Sequence, residues 1–561
     1  MKIVRHLLLA YIFVLTPSIL FADVLIYGGT IRTMDEANPL VQALLLRDGR
    51  IIAIGDKAVL ASQSRNPDEV DLLGRTLLPG FIDSHVHVRE LGMDVVKANL
   101  AGVNTTAEMV ERIKLKFPDP APGEWLIGQG WDEGKFGSIG YPDRYLLDLA
   151  FPNNPVQLES LHGFAGFYNA AALKIAGITD STPDPEVGQI LRRENRSATG
   201  VLLTLAQALV SQHVPAVNIV QREEAILAGL LMMAEVGVTS VHEAGMTQAD
   251  VQAFTKLRAR QQLPIRIYGM LNGNDDELMQ QWFDRGPLVD STKMLEIRGV
   301  KVFYDGSLGS RTALLRAPYS DHPEKANPTE RISPKAVRKL AKNSAENGFQ
   351  MAVHAIGDEG NDITIAIYED TLKNYPNHDA RWRIEHAQVV LPDFYNRAAK
   401  VGLIASMQSS HAVGDSGWAE ERVGPVRIKD AYAWQKMLGA GIPLAINSDL
   451  PGEPWKPVET LFFAVTRAKL NGVSELESTT GWYPNESLSI PEALRAMTLT
   501  NAYAAFQEQF IGSLEVGKFA DFVIINRDPV TTKPQELKDL QVIETWVAGR
   551  QIFRLDSNVR E

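Results

Sequence analysis

Short apolar runs that alternate with longer amphipathic stretches fill the middle of the chain. The runs are Phe81–His85, Val238–Glu243, Ile265–Leu271, Gly299–Tyr304, Gln350–His354, Trp382–His386, Leu403–Gln408 and Pro443–Asn447. Short apolar segments rich in β-branched and aromatic residues read as buried strands. Helical spacing marks most of the gaps, at Glu223–Glu235, Pro334–Asn347, Thr364–Asn374, Pro392–Val401 and Tyr432–Ala440. Eight strand units close a (β/α)8 barrel. The spacing therefore predicts an α/β protein with a (β/α)8 barrel over 80–507.

Both ends of the chain carry a different pattern. Short β runs at Val24–Tyr27, Ala43–Leu46, Ile51–Ile54 and Thr76–Leu78 are separated by Gly28-Gly29, Asp48-Gly49-Arg50 and Gly55-Asp56. Asp521–Ile525, Val542–Val547 and Gln551–Phe553 repeat the style. Neither end buries a core alone, which predicts one flanking β-sandwich built from 23–79 and 508–561. The stretch from about 92 to 220 holds its own β-like run, Val156–Glu159. It reads as a large insertion after the first barrel strand, over the mouth where barrel loops carry function.

Residues 1–22 place Lys2 and Arg5 before the apolar Leu7–Leu15, then Pro17 and a small Ala22. That is the order of a secretory signal, and the apolar run is shorter than the ~20 residues of a membrane span. The expectation is an exported protein, periplasmic or secreted, with no stable membrane insertion after cleavage.

Composition narrows the chemistry more than the fold. At 45% hydrophobic and 22% charged residues, the chain is ordinary for a globular protein. A net charge of -12 argues against a nucleic-acid partner, which needs a basic face. There is no cysteine, which excludes disulfides, thiolate metal sites and cysteine nucleophiles. Any metal must be held by imidazole, carboxylate or something rarer, and the chain has 11 histidines.

Four of them fall at the ends of predicted strands. His85 and His87 close the first run two residues apart, so both face one side of a strand and can share a metal. His354 and His386 end the fifth and sixth runs. At equivalent ends of a closed barrel, all four converge on one mouth. Lys301, flanked by Val300 and Val302 in the fourth run, is either a buried cation paired with an acid such as Asp305 or Asp449, or a desolvated amine. A neutral amine can take up CO₂ as a carbamate that bridges two metals. Asp449, just past the eighth run, is either a helix N-cap or a metal ligand and general base beside His85 and His87.

The ordered set Pro-Gly-Phe-Ile-Asp-Ser-His85-Val-His87, Lys301, His354, His386 and Ser448-Asp449 resembles the amidohydrolase superfamily. Other stretches sharpen the resemblance to its amidohydrolase family 3 (YtcJ-like) branch. They include Gly130-Trp131-Asp132, Gly-Val-Thr-Ser-Val-His242-Glu, Val-Lys301-Val-Phe-Tyr-Asp305-Gly-Ser-Leu-Gly-Ser-Arg311-Thr-Ala, Arg383-Ile-Glu-His386-Ala-Gln and Gly512-Ser-Leu-Glu-Val-Gly-Lys518-Phe-Ala-Asp521. The likeness runs from Asp23 to Phe553.

The resemblance implies a metal-dependent hydrolase on a distorted (β/α)8 barrel with a flanking β-sandwich, holding one or two divalent ions, with zinc as the expected metal. His85, His87 and Asp449 would hold one ion and His354 and His386 the other, with Lys301 bridging as N-carboxylysine. The reaction implied is attack of a metal-activated hydroxide on a carbonyl, with Asp449 moving the proton to the leaving nitrogen. His162, in the insertion, is a candidate to act on the substrate carbonyl, and His242, Arg311 and His411 are candidates to bind substrate. The branch often has an Arg shortly before this His, whereas here the order is Glu159-Ser160-Leu161-His162.

The substrate expected is a small molecule cleaved at a non-peptide carbon–nitrogen bond, most simply a linear amide or N-acyl compound. Ester, carbamate or cyclic-amide hydrolysis on the same centre is the alternative. A non-catalytic periplasmic binding or regulatory protein of the same fold is the alternative of a different class. A homodimer is one assembly open to the chain.

Overall fold

The computed structural model describes residues 23–131, 141–160, 165–185, 188–324, 330–451, 453–470 and 481–556. Eight parallel strands follow one another around a barrel in chain order. They are β1 (Phe81–Val86), β2 (Val238–Met246), β3 (Arg266–Asn272), β4 (Leu295–Phe303), β5 (Gln350–Ala355), β6 (Arg383–His386), β7 (Ile404–Gln408) and β8 (Leu444–Asn447). Every predicted run lies on one of them. Only β4 differs much, beginning at Leu295 rather than Gly299, because Glu296 and Arg298 disguise its first half. Glu296 is nonetheless buried, accepting from Lys293 Nζ at 2.7 Å and Gln507 Nε2 at 2.7 Å.

The barrel closes between β8 and β1 through a parallel bridge of Val86 with Leu450. Asp449 N donates to His85 O at 2.9 Å, and His87 N donates to Leu450 O at 3.2 Å. The helices Gln248–Ala259 and Asp276–Arg285, which follow β2 and β3, were not predicted. Polar residues equal the apolar ones in the first and outnumber them in the second, yet each buries one stripe, Val251, Phe254 and Leu257 in the first and Leu278, Met279 and Trp282 in the second. Thr247 and Asp275 cap them.

The two chain ends share one eight-stranded sheet. Its middle is the antiparallel pair of Thr76–Pro79 with Phe522–Ile525. One face packs Ile26, Leu44, Leu77, Phe522 and Ile524 together, while Leu78, Val523 and Ile525 join the barrel core. Arg266 on β3 locks the two bodies together, its Nε and Nη2 donating to Asp521 at 2.5 and 2.9 Å. The Gly28-Gly29 pair is not a turn but a bulge inside the strand Val24–Arg32, where the register slips between Tyr27 and Ile31. Gly28 has φ +82°, and a Cβ on Gly29 would stand 2.2 Å from Arg75 O, so glycine is required at both.

Between β1 and β2 a six-stranded sheet runs from Ala98–Asn99 to Ala198–Leu203. It has its own core, with Trp131 buried against Phe167 and donating to Leu158 O at 3.0 Å. Only its strand Val156–Ser160 was legible beforehand. Residues 1–22, His162 and Asp132 lie outside the described residues.

Candidate metal centre

Strand ends bring the predicted residues together at the barrel mouth. The His85 and His87 rings stand 5.6 Å apart, His85 and His386 5.3 Å, and His354 and His386 4.4 Å. Asp449 lies among them. Its Oδ1 is 3.4 Å from both His85 Nε2 and His87 Nε2. Its Oδ2 is 3.9 Å from His386 Nδ1 and 3.8 Å from His411 Nε2. Lys301 Nζ is 3.0 Å from His85 Nε2 and 4.4 Å from the centre of the Phe303 ring. Two triads, His85–His87–Asp449 and His386–His411–Asp449, hold their donor atoms within 4.8 Å of one another.

Burial sets the protonation states. It lowers His85 to about 4 and His354 to about 3, and it carries His386 well below its ordinary value. Lys301 drops to about 8 for the same reason. Buried neutral imidazoles around one carboxylate suit a divalent ion and are costly without one. Burial pushes the Asp449 carboxyl up, but the surrounding histidines outweigh it and hold it well below the usual range. Asp449 therefore stays an anion at neutral pH.

A second layer aims these groups. Glu385 Oε2 sits 2.6 Å from His85 Nδ1, so that nitrogen carries the proton and Nε2 offers its lone pair. Ser406 Oγ donates to the same oxygen at 2.6 Å, and Arg383 Nε donates to Oε1 at 2.7 Å. Burial alone raises the Glu385 carboxyl, but Arg383 and His85 more than offset it, and the group is held below its ordinary value. Gln408 Oε1 accepts from His386 Nδ1 at 2.8 Å, with its amide oriented by Asn447 Oδ1 at 2.8 Å, which leaves Nε2 with the lone pair to offer. His354 Nε2 donates to Gly306 O at 3.1 Å, leaving Nδ1.

That carbonyl is placed by Asp305, whose buried carboxylate accepts from the N–H groups of Leu314, Ile356 and Gly357 at 2.9–3.0 Å. Asp83 accepts from Ser448 N at 3.1 Å and ties β1 to β8, burial pushing its carboxyl up to about 7. His386 and Asp449 both have left-handed backbones, φ +77° and +54°. Such conformations cost about 1–3 kcal/mol each and cluster at functional sites.

Two candidates fall elsewhere. His242 is fully buried, packed on Tyr268, with Nδ1 2.8 Å from Arg383 Nη1. It supports Arg383 rather than facing the mouth. Arg311 pairs with Asp321 at 2.7 Å on the loop after β4. His411 does join the centre. Sequence reading missed Arg383, Glu385, Ser406, Gln408 and Asn447. Their signal was available: Arg383 with Glu385, and Ser406 with Gln408, are polar pairs at spacing two inside apolar runs. That spacing turns both members toward the same side of the strand.

The family model described as "Amidohydrolase family" matches residues 68–553. The chain is 31% identical over 537 residues to "Putative amidohydrolase YtcJ" of Bacillus subtilis, covering 94% of this chain and 98% of that one. It is 30% identical over 549 residues to "N-substituted formamide deformylase" of Arthrobacter pascens, covering 94% and 97%. Among solved structures, an uncharacterized metal-dependent hydrolase from Pyrococcus horikoshii matches with a TM-score of 0.75 at 27% identity, over 91% of this chain and 99% of that one. With a barrel whose strand ends gather imidazoles around one carboxylate, this chain belongs to the amidohydrolase family and is a hydrolase acting on carbon–nitrogen bonds.

Proposed function

We propose that the chain hydrolyses a linear amide or N-acyl compound with a small acyl group, using zinc. The observation that carries this reading is the position of Asp449, an ionised carboxylate 3.4 Å from two imidazole nitrogens at the open end of the barrel. His85, His87 and Asp449 would hold one ion. Lys301, as N-carboxylysine, would hold a second with His354 and His386. An ion held there supplies Lewis acidity and a water acidified toward neutral pH.

The chain's own residues do the rest. Asp449 accepts the proton of the attacking water and returns it to the leaving nitrogen. An amine leaves poorly as an anion, so this second transfer is what an amide substrate demands. Glu385, Gln408 and the Gly306 carbonyl keep the imidazoles from rotating during the cycle. The similarity to a protein named as an N-substituted formamide deformylase supports a small acyl group.

The test is a hydrolysis screen with metal-reconstituted protein across N-substituted formamides, N-acyl amino acids, arylamides, cyclic amides and esters. Turnover of formamides or short N-acyl amides is the expected result. Turnover of esters or cyclic amides alone, or full activity in metal-free protein, overturns the proposal.

A further inference from the structure

A row of hydrogen bonds crosses the barrel interior from β2 to β6 and returns to β1. It starts at His242 on β2, whose Nδ1 lies 2.8 Å from Arg383 Nη1 on β6. Arg383 then grips Glu385 Oε1, through Nε at 2.7 Å and Nη2 at 2.5 Å. Glu385 Oε2 ends the row 2.6 Å from His85 Nδ1 on β1. All four side chains are fully buried.

Arg383 has no freedom to choose other partners. Nη2 also donates to Ser84 O at 3.0 Å, and His242 is the acceptor for Nη1 among the described residues. A guanidinium is always a donor, so the nitrogen facing it must be an acceptor. Burial, with Arg383 beside it, lowers His242 well below its ordinary value and keeps the ring neutral. Nδ1 therefore offers its lone pair and Nε2 carries the proton. The ring lies 5.1 Å from that of Tyr268, whose Oη donates to Gln350 Oε1 at 3.0 Å.

His242 Nε2 is buried without a hydrogen-bond partner. An orphaned polar group of this kind costs stability. An apolar side chain would fill the same space without that cost, so packing alone does not account for an imidazole here.

We infer that His242 is a positioning residue for the metal centre: its Nδ1 holds Arg383, Arg383 holds Glu385, and Glu385 sets the ring of His85. The inference rests on the metal-dependent reading above and gives His242 a role in metal affinity instead of substrate contact.

The test separates an acceptor from a space-filler. Asn places its Oδ1 near the position of a histidine Nδ1, whereas Leu fills the space and accepts nothing. Metal-free wild type, His242→Leu and His242→Asn are titrated with Zn²⁺ against a chelating dye and with Co²⁺ by visible absorbance. Circular dichroism checks that each barrel is intact, and His242→Ala repeats the comparison if His242→Leu does not fold. His242→Leu is expected to bind Zn²⁺ about tenfold more weakly and to shift the Co²⁺ bands, while His242→Asn stays close to wild type. In a Glu385→Gln background His242→Leu should cost little more, because its path to His85 is already cut. Wild-type affinity and Co²⁺ bands in His242→Leu overturn the proposal. Equal losses in His242→Asn and His242→Leu also overturn it, as does an undiminished further loss in the Glu385→Gln background. Absence of any bound ion in wild type instead overturns the metal-dependent reading itself.

Discussion

Asp449 meets His85 twice. Its backbone N–H donates to the His85 carbonyl at 2.9 Å, and its carboxylate Oδ1 stands 3.4 Å from the His85 Nε2. The first contact helps close the barrel and the second helps form the candidate metal site, so the seam and the centre are one piece of structure. An ion that binds only the folded chain stabilises it by about 2.7 kcal/mol at a hundredfold excess over its Kd. Chelation should therefore lower the melting temperature as well as abolish activity, and Zn²⁺ should restore both. Identical melting curves with and without metal would break the link between seam and site.

Asp449→Asn removes the proposed proton carrier and keeps the shape. With saturating metal, kcat should fall by about 10²–10⁴, and more for amides with poor leaving groups than for activated anilides. A uniform loss across leaving groups would mean that Asp449 acts as a ligand alone.

Glu385→Gln tests the residue beneath His85. A change of this kind typically weakens metal affinity or activity by 10–100-fold. The loss should appear in the Zn²⁺ affinity, measured by competition with a chelating dye, while the barrel's circular dichroism stays unchanged. Unaltered affinity would show that His85 needs no orientation from below.

Lys301 ties the site to pH. Burial lowers it to about 8 from 10.5. Below about pH 8 folded and unfolded chains both hold the proton, and the cost of burying the charge is present in full. Between about pH 8 and 10.5 the unfolded chain keeps a proton that the folded chain has released, so stability rises with pH across that window. In metal-free, CO₂-free samples the rise is on the order of 3 kcal/mol. Urea midpoints of wild type and Lys301→Met should diverge there, with the variant lacking this rise. Parallel curves would place the Lys301 charge in water.

Arg266→Met breaks the buried pair with Asp521 and leaves a carboxylate without its partner. Loss of one member of such a pair costs about 3–5 kcal/mol, and Arg266→Met, Asp521→Leu should recover much of it. If the single variant melts with wild type, the barrel and the end sheet are held by their apolar contact alone.

The barrel was legible because each of its strands is a short apolar run ending in a polar signature, and periodicity reports burial directly. The candidate metal ligands were legible because His85-Val-His87, His354 and His386 sit where those runs stop. The groups that aim them were harder to see. Glu385 lies beside His386 in the chain but serves His85, three hundred positions away, and that pairing exists only after closure. The insertion was opaque for another reason. Strands such as Leu126–Trp131 and Ala198–Leu203 carry glycines at Gly128, Gly130 and Gly200 that read as turns. Gly130 and Gly200 have φ +93° and +101° inside those strands.

The sheet shared by the two chain ends also sets a clock. Pro79 pairs with Phe522, so at synthesis rates of about 5–20 residues per second the strand Thr76–Pro79 waits roughly 20–90 s for its neighbour to be made. Throughout that interval the nascent chain carries an open sheet edge beside a growing barrel, and an unpaired edge invites pairing with other chains. Slowing translation late in the message, or removing the last three strands, should drive this chain into aggregates even though every barrel strand has already been made.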